Sequence, residues 1–350
     1  NYTYDAAGQL LTSVSDTGNF ERFAYDAAGN RTRLETPDGL TSYIYNQRNQ
    51  LVQQTNPDGL ATLFNYDANG NLSDEISTAG MVMYGYDTNN RLITITTPDD
   101  ATEYLYNGLD DRVAMIVNGE RTNFIQDFNR PNTITLATQT DAGFTNYTYA
   151  VGYVAERDAT GETGYYLTDF LYSVIGYTDE AGQVLESYDY SSYGMPLFDG
   201  EMQADFSYAN EWFDQTNGLL YLRARHYSPE QGRFISEDIY HGTTTDWLSQ
   251  NQYHYAFNNP ITYTDPSGLC PAGLFKTFLV LAAGFFGAAG ALGLVAAGSP
   301  FLVAAGVFVF MSSLFGVATG IANIMDGGTR PGGLIEAGVV ISGGDATDRS

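Results

Sequence analysis

Positive charge is scarce in this sequence: 15 Lys+Arg stand against 41 Asp+Glu, the net charge is −26, and Lys276 is the only lysine. A surface of that sign repels phosphate backbones, so direct nucleic-acid binding by the bulk of the chain is not expected. Cysteine is nearly absent as well. Cys270 alone excludes an internal disulfide framework and a Cys-rich zinc site. His226, His241 and His254 show no HExxH or comparable metal spacing and read as surface or packed residues. Neither a metal nor a cofactor is expected. The chain begins at Asn1 inside a repeat, without Met or a basic leader, and reads as a piece of a longer protein.

What is present is repetition. Tyr-Asp or Tyr-Asn pairs begin at Tyr4, Tyr25, Tyr45, Tyr66, Tyr86 and Tyr106, at intervals of 21, 20, 21, 20 and 20 residues. A fixed period of this size marks stacked supersecondary units. Each unit reads YDxxGxL or a worn version of it, as in YDAAGQL from Tyr4 and YDANGNL from Tyr66. An Asp or Asn after the Tyr can accept bonds from the backbone that follows, and Gly8, Gly29 and Gly70 tolerate positive φ. The motif therefore predicts a turn. A second turn signal (Pro37-Asp38-Gly39, Pro57-Asp58-Gly59, Pro98-Asp99-Asp100) falls midway through several units, and Thr41 to Tyr45 and Arg91 to Thr96 read as strands. The tyrosines fit cross-strand packing; an exposed carbohydrate-binding stripe is the alternative.

These units resemble the YD repeats of Rhs proteins. That resemblance implies a mainly β fold, a ribbon of stacked hairpins winding into a shell around its own C-terminal segment. Residues 1–130 are assigned to the repeats and 131–207 to an irregular β continuation, with turn signals at Asp158-Ala159-Thr160-Gly161 and Asp179-Glu180-Ala181-Gly182. In the run YYLTDFLYSVIGYTDEAG, Phe170 stands where the family has His and Tyr172 where it has Gly, which favours plain packing there.

Residues 208–269 resemble the Rhs repeat-associated core, through NGLLYLRAR from Asn217, Tyr227-Ser228-Pro229 and GRFIS from Gly232. Read directly, Leu219 to Tyr227 is one strand. Arg223 and Arg225 then share a face with Tyr221 and Tyr227, where they meet buried carboxylates or carbonyls. Asp238 and Asp265 are the carboxylates that could carry chemistry. Two carboxyls brought close share a proton, so one can activate water while the other protonates an amide. The resemblance implies aspartyl-type self-cleavage after Asp265-Pro266-Ser267-Gly268-Leu269, at the Leu269–Cys270 bond, with Arg225 in support. This chain departs from the family in having Ile239 after Asp238 and an insertion around 243–250. The other reading is that both aspartates cap turns. No other enzymatic motif is found.

Residues 270–350 are Gly/Ala-rich and apolar, and 274–325 reads as a helical hairpin. Leu274 to Ala297 carries one charge and Pro300 to Met325 none, each long enough to cross a bilayer. Gly284, Gly287, Gly290, Gly293, Gly316 and Gly320 would let the helices approach closely. A dry plug inside the shell is the alternative. Two functions follow as expectations. One is the C-terminal part of a secreted or surface Rhs-type polymorphic toxin used in bacterial competition, with its own tail as membrane-active cargo, an immunity protein and a target membrane as partners. The other is a non-enzymatic YD-repeat surface or adhesion protein anchored by the hairpin.

Overall fold

The computed structural model describes residues 1–269 except 17, 131, 199 and 243–246. The helical hairpin expected at 274–325, with its six glycines, lies outside the described residues, as does Cys270. Among the described residues no helix is long and apolar enough to cross a membrane.

Nineteen strands, from β1 (Tyr2–Tyr4) to β19 (Val184–Ser187), form one antiparallel sheet in which each strand pairs with the strands before and after it. The turn chemistry read from the sequence recurs in unit after unit. Asp67 Oδ1 accepts the backbone N–H groups of Asn69 and Asn71, each at 2.9 Å. Asp5, Asp26, Asn46, Asp87 and Asn107 do the same for their own turns. So do Asp158, Asp169 and Asp179 in the region where the strict period has faded. Gly70 shows why the turn favours glycine: its φ is +85°, and a Cβ there would fall 2.1 Å from Glu237 Oε2.

The pairing register slips by one residue at Tyr4, Tyr25, Tyr45, Tyr66 and Tyr106, a β-bulge repeated at each unit's tyrosine. Bulges increase local twist, so the ribbon coils. The coiling is visible in contacts beyond β19, where Tyr193 meets Tyr25 (2.9 Å between hydroxyls) and Ser192 N donates to Glu21 Oε2 at 2.7 Å.

The tyrosines are half-buried, apart from Tyr4, which is 37% exposed, and the Tyr86 hydroxyl is buried without a partner. Tyr25, Tyr45 and Tyr106 donate to the carbonyls of Leu10, Arg31 and Leu92 in the preceding units, at 2.8, 2.8 and 2.7 Å. Those acceptors belong to a second ladder. The residue six positions after each tyrosine (Leu10, Arg31, Leu51, Leu72, Leu92, Arg112) is at most 6% exposed.

The inward face of the ribbon packs on the segment that follows β19. This carries a small sheet of β20 (Trp212–Asp214), β21 (Leu219–Leu222), β22 (Arg225–Ser228) and β23 (Arg233–Phe234). Leu219 and Ile235 enter one apolar cluster with Tyr43, Leu51, Phe64, Leu72 and Leu92. Polar ties run the same way: the carbonyls of Gly29, Asn49 and Gly70 accept from Asn258, Arg233 and Tyr253 at 2.6, 2.5 and 2.7 Å. Successive repeat turns are thereby fastened to one central segment.

Two expectations are corrected. Leu219 to Tyr227 is not one strand: β21 and β22 form a hairpin in which Leu222 faces Arg225, and Arg223 turns the chain at φ +62°. Arg223 and Arg225 therefore leave the turn in different directions. Phe170, expected to pack, is 72% exposed, and Tyr172 adopts φ +65°, the conformation that Gly, Asn or Asp supplies in the other turns.

Candidate functional site

The hairpin turn Arg223-Ala224-Arg225 holds the segment Pro266-Ser267-Gly268 by its carbonyls. Arg223 Nη1 donates to Pro266 O at 2.5 Å, Ala224 N to Ser267 O at 3.2 Å, and Arg225 Nε to Gly268 O. Three consecutive residues thus grip three consecutive carbonyls. The fit is close: Gly268 lies at φ +71°, and a Cβ on it would sit 2.4 Å from Leu222 O.

Arg225 also gathers the two aspartates singled out in the sequence. Its Nη2 lies 2.6 Å from Asp238 Oδ2 and 3.9 Å from Asp265 Oδ2. Its Nη1 donates to Gln252 O at 2.8 Å, and its guanidinium stacks 3.6 Å over the Phe234 ring. The second oxygen of each carboxylate caps its own turn. Asp238 Oδ1 accepts Tyr240 N at 2.8 Å; Asp265 Oδ1 accepts Gly268 N at 2.9 Å and Ser267 Oγ at 3.1 Å. Each aspartate thus caps a turn with one oxygen and faces Arg225 with the other.

The electrostatics follow from burial. Arg225 is 6% exposed and Asp265 2%. Burial pushes the Asp238 carboxyl above its usual range; the charge of Arg225 opposes this, and Asp265 adds to it. Burial likewise draws Arg225 downward against the pull of Asp238 and Asp265. In a medium of low polarity, two carboxyls facing one cation favour a state in which one of them holds a proton.

Arg223, the first arginine of the turn, pairs through Nη1 with both carboxylate oxygens of Glu211, at 2.9 and 2.8 Å. Sequence reasoning missed Glu211, which lies outside the resembling motifs. It also missed Gln252, whose carbonyl accepts both Arg225 Nη1 and the backbone N–H of Asp238. His241 touches the side chain of Gln252, His254 bonds Leu248 O and Gly29 O at 2.9 and 3.0 Å, and His226 is buried elsewhere. No group of side chains suited to a metal occurs among the described residues.

Residues 1–261 match the family model described as Teneurin YD-shell. The chain is 33% identical over 188 residues to the tRNA3(Ser)-specific nuclease WapA of Bacillus spizizenii, covering 52% of this chain and 8% of that protein. It is 34% identical over 98 residues to the double-stranded DNA deaminase toxin A of Burkholderia cenocepacia, covering 26% of this chain and 6% of that one. The chain thus spans a small fraction of the length of these relatives. A crystal structure of TcdB2-TccC3-TEV is similar over 77% of this chain and 19% of that one, with a TM-score of 0.41 and 18% identity.

Proposed function

The chain belongs to the Teneurin YD-shell family, as an Rhs-type YD-repeat shell, and on that premise we propose that it is the C-terminal part of a toxin that holds its own tail as cargo and cuts itself after Leu269. The observation that carries the proposal is the clasp, in which one turn fixes the carbonyls of residues 266–268 while Arg225 draws Asp238 and Asp265 to the same guanidinium nitrogen.

The proposed reaction is hydrolysis. One carboxylate takes a proton from water, whose oxygen attacks the Leu269 carbonyl carbon. The other carboxyl, protonated, gives its proton to the amide nitrogen of Cys270 as the C–N bond breaks. The products are a Leu269 carboxylate and a Cys270 amine. Asp238, raised by burial, suits the acid, and Asp265, three residues from Gly268, suits the base. Holding three carbonyls in line removes the freedom that an unrestrained peptide would have to lose before reaction.

The test is a denaturing gel of the full chain beside its Asp238→Asn and Asp265→Asn variants. Two fragments from the unmutated chain and one intact band from each variant are expected. An uncut 38.2 kDa band in the unmutated chain would sink the cleavage step.

The cargo in this proposal is 270–350, acting on a target membrane after secretion, with an immunity protein protecting the producer. Expression of that segment in bacteria should collapse the membrane potential; harmless insertion would instead favour a surface protein anchored by its tail. One observation favours that second reading. Every bond of the clasp, including the 2.6 Å pair of Arg225 with Asp238, also serves a static fastening of the shell's end.

A further inference from the structure

The second ladder places Leu at four of its six positions and Arg at the other two, and the two arginines are met differently. Arg31 donates through Nη2 to Tyr43 Oη at 3.0 Å and to Glu230 O at 2.9 Å, and only its Nε is buried without a partner. Arg112, 1% exposed, has no acceptor for Nε or Nη1 and no ion pair among the described residues. Aromatic rings surround it: Tyr221 at 4.1 Å, Phe124 at 4.7 Å, Tyr104 at 5.4 Å and Trp212 at 6.0 Å from Cζ. Rings attract the charge but leave N–H donors in the guanidinium plane unbonded.

The central sheet adds further nitrogens. Trp212 pairs with Tyr221 and Tyr221 with His226, so these three residues form one cross-strand row over β20, β21 and β22. Tyr221 Oη accepts the backbone N–H of Arg112 at 3.0 Å, which ties the row to Arg112. Trp212 Nε1 and His226 Nε2 are buried and lack partners, like the two Arg112 nitrogens. The His226 ring lies 5.1 Å from Tyr104 and 5.4 Å from Tyr221, two of the rings that also face Arg112. Burial and the charge of Arg112 hold its imidazole well below the usual range, so it stays neutral with one N–H. Asp214 is the carboxylate at this cage, and its Oδ2 is already bonded to Tyr104 Oη and Asn217 Nδ2.

Arg and Trp nitrogens only donate. What they lack is an acceptor, and a guanidinium buried without a counter-charge adds a demand for negative charge. We propose that Arg112, Trp212 and His226 form a buried site for one small monovalent anion of the halide class, bound where the ribbon meets the central segment.

The experiment uses the full chain. Unfolding midpoints are measured with chloride or bromide replacing gluconate, a bulky organic anion outside the halide class, at constant ionic strength. The folded-to-unfolded ratio should rise about tenfold for each tenfold increase in halide above the dissociation constant. Arg112→Leu, which restores the residue found at four ladder positions, should abolish that dependence. If Arg112→Leu does not fold, crystals grown in bromide give an independent reading, an anomalous peak beside Arg112. Equal midpoints in halide and gluconate would overturn the site, as would a water with no bromide signal at that position.

Discussion

The ribbon and the central segment are both β-rich, yet they are held together by opposite means. Ribbon contacts are short in sequence and repeated: the turn after each repeat tyrosine is closed by its own Asp or Asn, and Tyr25, Tyr45 and Tyr106 each reach a carbonyl 14 or 15 residues back. The central segment is held by contacts that occur once and span long stretches of chain, such as Asn258 to Gly29 and Arg225 to Gly268. Redundancy makes the ribbon tolerant of single losses. The central segment has no such reserve, and this contrast sets the order of the following expectations.

The largest effect is expected at Arg225. Its removal strands two buried carboxylates, so Arg225→Ala should cost about 3–5 kcal/mol in denaturant unfolding, whereas a change near 1 kcal/mol would show the clasp to be dispensable for stability. Leu51, fully buried in the ladder, comes next: Leu51→Ala should cost about 2–5 kcal/mol through lost burial and the cavity left behind. A cost well above that of Arg225→Ala would reverse the proposed order of the regions.

A third expectation concerns pH at a contact between the two regions. Glu156, on the ribbon, accepts Tyr166 and Tyr177; Asp205, on the following segment, accepts Tyr147, the residue directly opposite Glu156. Burial raises both carboxyls, and burial together with the charge of Asp205 brings Glu156 to about 7. A raised carboxyl keeps its proton in the folded state after the unfolded chain has released it. Stability from this pair is therefore full below about pH 4, the ordinary carboxylate range, falls as pH rises toward 7, and is flat above. Glu156→Gln should flatten that slope in a pH series of unfolding midpoints; an unchanged slope would assign it to other groups.

The smallest effect should come from Tyr45→Phe, which deletes one of many equivalent hydroxyl bonds and should cost about 1 kcal/mol. Loss of folding from that change would show that the ribbon is not redundant.

The same contrast explains what could be read from sequence. YDxxG contains both the residue that closes the turn and the residue that tolerates its backbone, so the repeat turns were legible from residues that touch one another. The turn at Arg223-Ala224 was not legible, because neither residue favours positive φ. It is imposed by Glu211 and Pro266, 12 and 43 residues away. The exposure of Phe170 was hidden for a similar reason, since the packing preference of Phe does not say which side of the turn faces inward. For the ladder, the signal was present in the spacing: Leu10, Leu51, Leu72 and Leu92 share one register with Arg31 and Arg112. That Arg225 would meet buried carboxylates was legible from the scarcity of cations, whereas the pairing of Asp238 with Asp265 was suggested by family likeness and not by local chemistry.

The bulge recurring at each tyrosine makes the ribbon behave like a row of staves, each adding its increment of bend. Insertion or loss of one whole unit of about 20 residues keeps the ladder of the other units on the inward face, while changing which turns meet the central segment. A one-residue slip in strand pairing turns the buried ladder to the outside. The length of the ribbon is therefore adjusted in discrete steps, by the number of units and not by the composition of any one of them.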